Sequence, residues 1–289
     1  MLIRHHLPVY QQGHFRQICL SEFSAVDPEQ TIFCLPGLLE TSAAWYDFAN
    51  FFAKKHRVFI IDYTGRALSE YLPHGVEYRM SACLTDICSA VSFICGFDKQ
   101  SNQRVEPVAS TARETRLHIV GNSMGGLLAV TFAAKQPSIV ASLIINDVGA
   151  VVPWSGLVAI MGAVYAAGRR ASEVMPSYSL SSVAHDLNVD PRLLMAVMRP
   201  PYADLDLRHG LHGLSYEQYF AKTKVRTLLI HSTESRMVTE QVLSSTKAHK
   251  DIEIFSVGGS QHPVAYTTPV NKRIESFISH RFSSGKDVI

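Results

Sequence analysis

Nowhere in these 289 residues is there an uninterrupted apolar run of about 18, the length a bilayer-spanning helix needs, so no integral membrane association is expected. The opening residues, Met1–Leu2–Ile3–Arg4–His5–His6–Leu7–Pro8, lack the apolar core of a secretory signal, and the expected location is cytoplasmic. Cysteine is sparse and odd in number. Cys19, Cys34, Cys83, Cys88 and Cys95 have neither C-x-x-C spacing nor a neighbouring ligand cluster, so they read as buried thiols in a reducing compartment rather than as metal ligands or a disulfide framework. Charge of one sign is also missing: 27 Lys+Arg stand against 25 Asp+Glu, and a formal charge of +2 gives no basic surface for nucleic acid. No internal repeat or heptad array occurs, and no metal and no cofactor is expected. With 47% hydrophobic and 18% charged residues, the chain has enough apolar side chain for a substantial core.

What is present is concentrated in one short segment. The apolar run Leu117–His118–Ile119–Val120 leads into Gly121–Asn122–Ser123–Met124–Gly125–Gly126 and then into the small-residue helical stretch Leu127–Ala134. This is a G-x-S-x-G box between a strand and a helix, the sequence form of a nucleophile elbow. Gly121 and Gly125 are needed because the chain reverses within a few residues, holding Ser123 in a strained state while helix and strand touch. The helix that follows directs its free N–H groups toward the point where an oxyanion forms, and the Met124 N–H is one candidate donor.

A serine nucleophile needs a base and a second oxyanion donor. The strand-like run Ile252–Val257 is followed by Gly258–Gly259–Ser260–Gln261–His262–Pro263, a flexible turn carrying a histidine after the last strand, which makes His262 the candidate base. Most of the 13 histidines are surface or structural residues; His231, at the end of another strand, is the rival. The second donor is assigned to the Leu38 N–H, because the buried run Thr31–Leu35 ends in Pro36–Gly37 and Gly37 lets the next peptide turn toward the site.

Strand-like segments recur at 31–35, 57–61, 117–121, 142–147, 226–231 and 252–257, separated mostly by helical patterns, after a hairpin over residues 7–22 that turns at Gln12–Gly13. Such alternation specifies an α/β fold with a mostly parallel twisted sheet and helices on both faces. Residues 80–96 have helical spacing, 98–116 form a polar loop or short insertion, and Val270, Ile274, Phe277 and Ile278 mark a final amphipathic helix. From Val151 to Lys222 the alternation stops. An apolar small-residue helix around Trp154–Gly168 and two further helical pieces, broken by Pro176, Pro191 and Pro200–Pro201, read as a helical cap insertion (151–222) in a core formed by 1–150 and 223–289. Gly156, Gly162 and Gly168 suggest packing of that helix against protein rather than against a membrane surface.

Taken together, these segments resemble the α/β-hydrolase family, from about Ile32 to Ile278. Asp62–Tyr63–Thr64–Gly65–Arg66–Ala67–Leu68–Ser69 is similar to its D-x-x-G-x-G-x-S turn, with Ala67 in place of the second glycine. Asn146–Asp147–Val148–Gly149 is similar to the N-D-V-G-P segment of an esterase-like branch, with Ala150 in place of proline. Pro36 stands where the family usually has histidine, a mild change because the donor there is backbone. The acid departs more seriously. Arg236 occupies the slot of the usual aspartate in E-S-D-x-x-T, and arginine cannot accept a hydrogen bond from an imidazole. The fold allows an acid from either neighbouring strand tip, so Asp147 is taken first, Glu234 is the alternative acid, and a dyad without an acid remains open. The resemblance implies a serine hydrolase cleaving a small carboxylic ester or thioester through an acyl-enzyme on Ser123. The alternative, motivated by Arg236, is a weakly catalytic or non-catalytic ligand-binding member of the fold. Nothing in the sequence specifies the oligomeric state.

Overall fold

Short runs of β-branched and aromatic residues alternate with helical patterns along most of the chain, and each run becomes one strand of a shared sheet. The computed structural model describes residues 1–11, 13–97, 116–174, 180–197, 199, 202–205, 208–209, 211–249 and 251–279. Gln12 at the hairpin turn, the polar stretch 98–115, Pro176, Pro200 and Pro201 lie outside the described residues. The order begins with strands β1 (Leu2–Gln11), β2 (His14–Ser24) and β3 (Thr31–Leu35), helix α1 (Tyr46–Phe52), β4 (Arg57–Asp62), α2 (Met80–Ile94), β5 (Leu117–Asn122), α3 (Met124–Lys135) and β6 (Val140–Asn146). After these come β7 (Val151–Pro153), α4 (Trp154–Val174), α5 (Leu180–Asp186), α6 (Pro191–Ala196), β8 (Arg208–His209), β9 (Gly213–Ser215) and α7 (Glu217–Lys222). The chain then returns to β10 (Thr227–Ser232), α8 (Glu240–Lys247), β11 (Ile252–Val257) and α9 (Thr268–Ser279).

Eight strands form one sheet in the order β1-β2-β4-β3-β5-β6-β10-β11, antiparallel at β1/β2 and β2/β4 and parallel beyond. The central strands β4, β5 and β10 are buried at every position, as parallel strands covered on both faces must be. Alternate residues serve different cores. Phe33, Ile119 and Leu229 pack with Ile87 of α2 and with Leu128 and Phe132 of α3, whereas Ile32, Val120 and Ile230 pack with Phe48 and Phe52 of α1 and with Ile274 and Phe277 of α9. Each fully buried Leu, Ile or Phe contributes roughly 1.5–3 kcal/mol relative to exposure, so the two-sided burial anchors the strand ends that carry the site.

Chain order reverses direction across the sheet between β3 and β5, which are parallel neighbours with Leu35 opposite Gly121. Ligands of open α/β sheets bind outside the carboxyl ends of the strands at such a switch point. The segment 151–222 differs from the expected all-helical insertion by holding a second sheet, β7-β9-β8, antiparallel throughout. Its strands are two or three residues long, too short for any alternation to register in the sequence. Gly156 packs tightly, since an added Cβ would sit 2.5 Å from the Met237 sulfur, while the surroundings of Gly162 are open. Four cysteines are buried as expected; Cys88 is exposed.

Candidate active site

Ser123 is the pivot between β5 and α3, with φ 48° and ψ −115°, a left-handed conformation that non-glycine residues rarely adopt. Its N–H donates to the Asn146 carbonyl at 2.9 Å, tying the turn to the end of β6. The flanking glycines are obligatory for space. A Cβ at Gly121 would lie 2.5 Å from the Gly125 carbonyl, and one at Gly125 would overlap the Leu35 carbonyl. Ser123 is half-buried, and Met124 opens α3, where a first-turn N–H has no intrahelical acceptor.

His262 reaches this serine from the loop between β11 and α9. Its Nε2 lies 3.0 Å from Ser123 Oγ, and its Nδ1 lies 2.8 Å from Asp147 Oδ2. An aspartate carboxylate only accepts, so Nδ1–H donates to it and Nε2 is left to accept from the serine hydroxyl. Asp147 is completely buried one residue past β6, at φ 55°, with its N–H held by the Ile230 carbonyl at 2.8 Å. Ser232 N–H donates to its Oδ1 at 3.2 Å and Ser235 Oγ to its Oδ2 at 2.8 Å. Together with His262 these donors satisfy both oxygens of a carboxylate withdrawn from water, as a buried polar group requires.

The other candidates lie apart from this chain of contacts. Glu234 and Arg236 are exposed, and among the described residues no hydrogen bond joins Glu234 to His262. His231 is buried between the Ser256 hydroxyl, 2.8 Å from Nε2, and the Ser232 carbonyl, 3.0 Å from Nδ1. Leu38 follows β3 beside the elbow, and its carbonyl accepts from Arg66 Nη2 at 2.8 Å.

Supporting residues to which the sequence reading gave no role surround the site. The Asn146 side chain brackets Val264, two residues past His262, donating to its carbonyl at 2.8 Å and accepting its N–H at 3.0 Å. Asn122 receives the Tyr266 hydroxyl at 2.6 Å and donates to Glu40 at 3.1 Å. Burial pushes the Tyr266 phenol well above its ordinary value, so it serves as a donor. Polar residues at the carboxyl ends of buried strands, Asn122 and Asn146, are the one signal that points to this shell. Among the described residues no group of three His, Cys, Asp or Glu side chains is arranged to hold a metal, and no helix is long and apolar enough to cross a membrane.

Comparison with known proteins bears on the same architecture. None of the curated proteins matches the chain. Among solved structures, an alpha/beta hydrolase from Novosphingobium aromaticivorans superposes with a TM-score of 0.69 at 18% identity, covering 96% of this chain and 98% of that one. E-2-(acetamidomethylene)succinate hydrolase gives 0.68 at 16% identity over 97% and 100%, and the thioesterase domain from the curacin biosynthetic pathway gives 0.57 at 18% over 96% and 99%. Identities this low establish the shared fold. The model of the alpha/beta hydrolase family matches residues 32–270, from β3 through the histidine loop into α9, and the chain belongs to that family.

Proposed function

We propose that the protein is a serine hydrolase that cleaves a small carboxylic ester or thioester through an acyl-enzyme on Ser123. One observation carries the reading: Ser123 Oγ, His262 and Asp147 form a continuous hydrogen-bonded chain of 3.0 and 2.8 Å. In the proposed reaction Ser123 Oγ attacks the carbonyl carbon while its proton passes to His262 Nε2. Asp147 fixes the ring orientation and offsets the imidazolium charge. The Leu38 and Met124 N–H groups receive the oxyanion, His262 returns the proton to the departing alkoxide or thiolate, and water repeats the sequence on the acyl-enzyme. Inclusion of thioesters is in keeping with the thioesterase domain among the similar folds. Residues 151–222 are proposed to cap the core formed by 1–150 and 223–289, and the proposed location is cytoplasmic.

A purely ligand-binding role drew its support from Arg236 in the usual acid slot. With Asp147 in contact with His262, an arginine at that slot does not leave the imidazole without a carboxylate, and the catalytic reading is preferred. The test is hydrolysis of short p-nitrophenyl esters by Ser123→Ala. Activity should fall by several orders of magnitude, roughly 10⁴-fold or more, with thermal stability nearly unchanged. Comparable activity in the alanine variant would remove Ser123 from the mechanism.

A further inference from the structure

The three successive peptide groups around Gly37 and Leu38 are anchored one after another. Gly37 N–H donates to Glu40 Oε2 at 2.7 Å, and the Gly37 carbonyl accepts the Glu40 N–H at 3.4 Å. The Leu38 carbonyl accepts from both Nη2 and Nε of Arg66, at 2.8 and 3.2 Å. In a trans peptide the N–H points opposite to the carbonyl, so engaging the Gly37 carbonyl with Glu40 turns the Leu38 N–H the other way. Among the described residues that N–H has no acceptor, which is the state an oxyanion donor requires.

Arg66 is an unusual residue for a mere loop tie. Its side chain is fully buried, and among the described residues it pairs with no carboxylate. Its remaining bonds run to the Thr64 carbonyl at 3.2 Å and the Tyr202 hydroxyl at 3.0 Å, and Tyr202 in turn contacts the Met124 sulfur at 3.4 Å. The guanidinium is thus linked to both residues whose N–H groups face the expected oxyanion. Its own loop is rigidly held: Thr64 N–H donates to buried Asp86 at 2.9 Å, and Ala67 N–H to the Asn188 carbonyl at 2.8 Å. Asp62 and Asp86 offset the guanidinium charge without a direct ion pair, and burying a cation in that way is costly where a neutral donor would suffice to tether a loop. A planar fork making several bonds at once is what a cation such as lysine cannot reproduce.

We propose that Arg66 and Glu40 are positioning residues for the oxyanion hole, gripping the Leu38 peptide from its two ends so that its N–H is preset for the tetrahedral intermediate. This inference rests on the serine-hydrolase reading. The experiment compares wild type with Arg66→Lys, Glu40→Gln and Glu40→Ala, measuring kcat and KM on p-nitrophenyl butyrate and Ki for an alkyl trifluoromethyl ketone. That ketone forms a C–O bond with Ser123 Oγ, the serine proton moves to His262, and the hemiketal alkoxide occupies the oxyanion hole.

Arg66→Lys and Glu40→Ala should lower kcat by about ten- to hundredfold with KM held within about threefold, and Ki should rise by the factor that kcat falls. Glu40→Gln, which keeps an oxygen for the Gly37 N–H, should retain activity near wild type. A residue that only supports folding would not couple Ki to kcat in this way. Loss of kcat with unchanged Ki, or loss carried by KM, overturns the proposal. Should Arg66→Lys not fold, half-exposed Glu40 allows the alanine variant to decide alone. A wild type that neither hydrolyses the ester nor binds the ketone overturns the underlying reading and this one together, whereas a ketone bound equally by wild type and variants overturns only the positioning role.

Discussion

Asp147 sits at φ 55°, and that left-handed turn directly after β6 brings a buried carboxylate under the His262 ring instead of continuing along the sheet. Its other bonds, from Ser232 and Ser235, come from the end of β10 and the loop that also carries Glu234 and Arg236. The loop of the usual acid therefore still contributes donors to the carboxylate that β6 supplies. Asp147→Asn should preserve folding and lower kcat by about two to four orders of magnitude, since an amide favours the wrong tautomer and cannot balance an imidazolium. Glu234→Gln and Arg236→Ala should each stay within about threefold of wild type in the same assay. A large loss in Glu234→Gln with an active Asp147→Asn would reverse the assignment. As candidates, Ser123 and His262 were legible in the sequence because each lies in a local motif, a glycine-flanked turn and a loop after the last strand. Asp147 was legible only as one of two carboxylates, because the choice between strand tips depends on which loop bends back, a tertiary property. Arg66, at a variable position of the D-x-x-G-x-G-x-S turn, and Glu40 carried no local signature beyond their types, whereas Asn146 lay in the N-D-V-G segment with no role attached to it.

At the scale of elements, β5 carries a second consequence at its other end. His118 is buried there, with Nδ1 2.7 Å from Ser142 Oγ of β6, and burial lowers its pKa to about 4. A histidine whose pKa is depressed on folding binds protons more readily in the unfolded chain. Its contribution is intact above the ordinary value near 6.5 and is lost as pH falls toward 4, a change of up to about 3 kcal/mol. Buried Asp62, raised to about 6, acts with the opposite sign over part of that range, so the test is a difference between proteins. Urea unfolding of wild type and His118→Gln at a series of pH values should find a shallower acid loss in the variant; parallel curves would exclude His118 as the source. The long helices were legible because their period repeats several times, as in α2, and the buried strands because they form continuous runs of apolar residues, as in β10. The sheet β7-β9-β8 was not, because two- and three-residue strands pair through backbone alone and leave no pattern of side chains.

Across the whole molecule, the sheet order brings together residues that are far apart in the chain. Leu38, Ser123, Asp147 and His262 follow β3, β5, β6 and β11, and the reversal between β3 and β5 opens the space above their carboxyl ends. The α/β class was legible from alternation alone, whereas the order of strands was not, because pairing between distant segments leaves no local pattern. Packing on both faces explains why the order matters: Asn122 opposite Asn146 on neighbouring strands sets the register in which serine and acid meet one histidine. The most direct test of that assembly is intact-mass analysis after brief exposure to a fluorophosphonate. The account predicts a single adduct on the folded wild type, mapped to Ser123 and absent from Ser123→Ala. A folded wild type that takes no adduct, or an alanine variant labelled as fast as wild type, would contradict it.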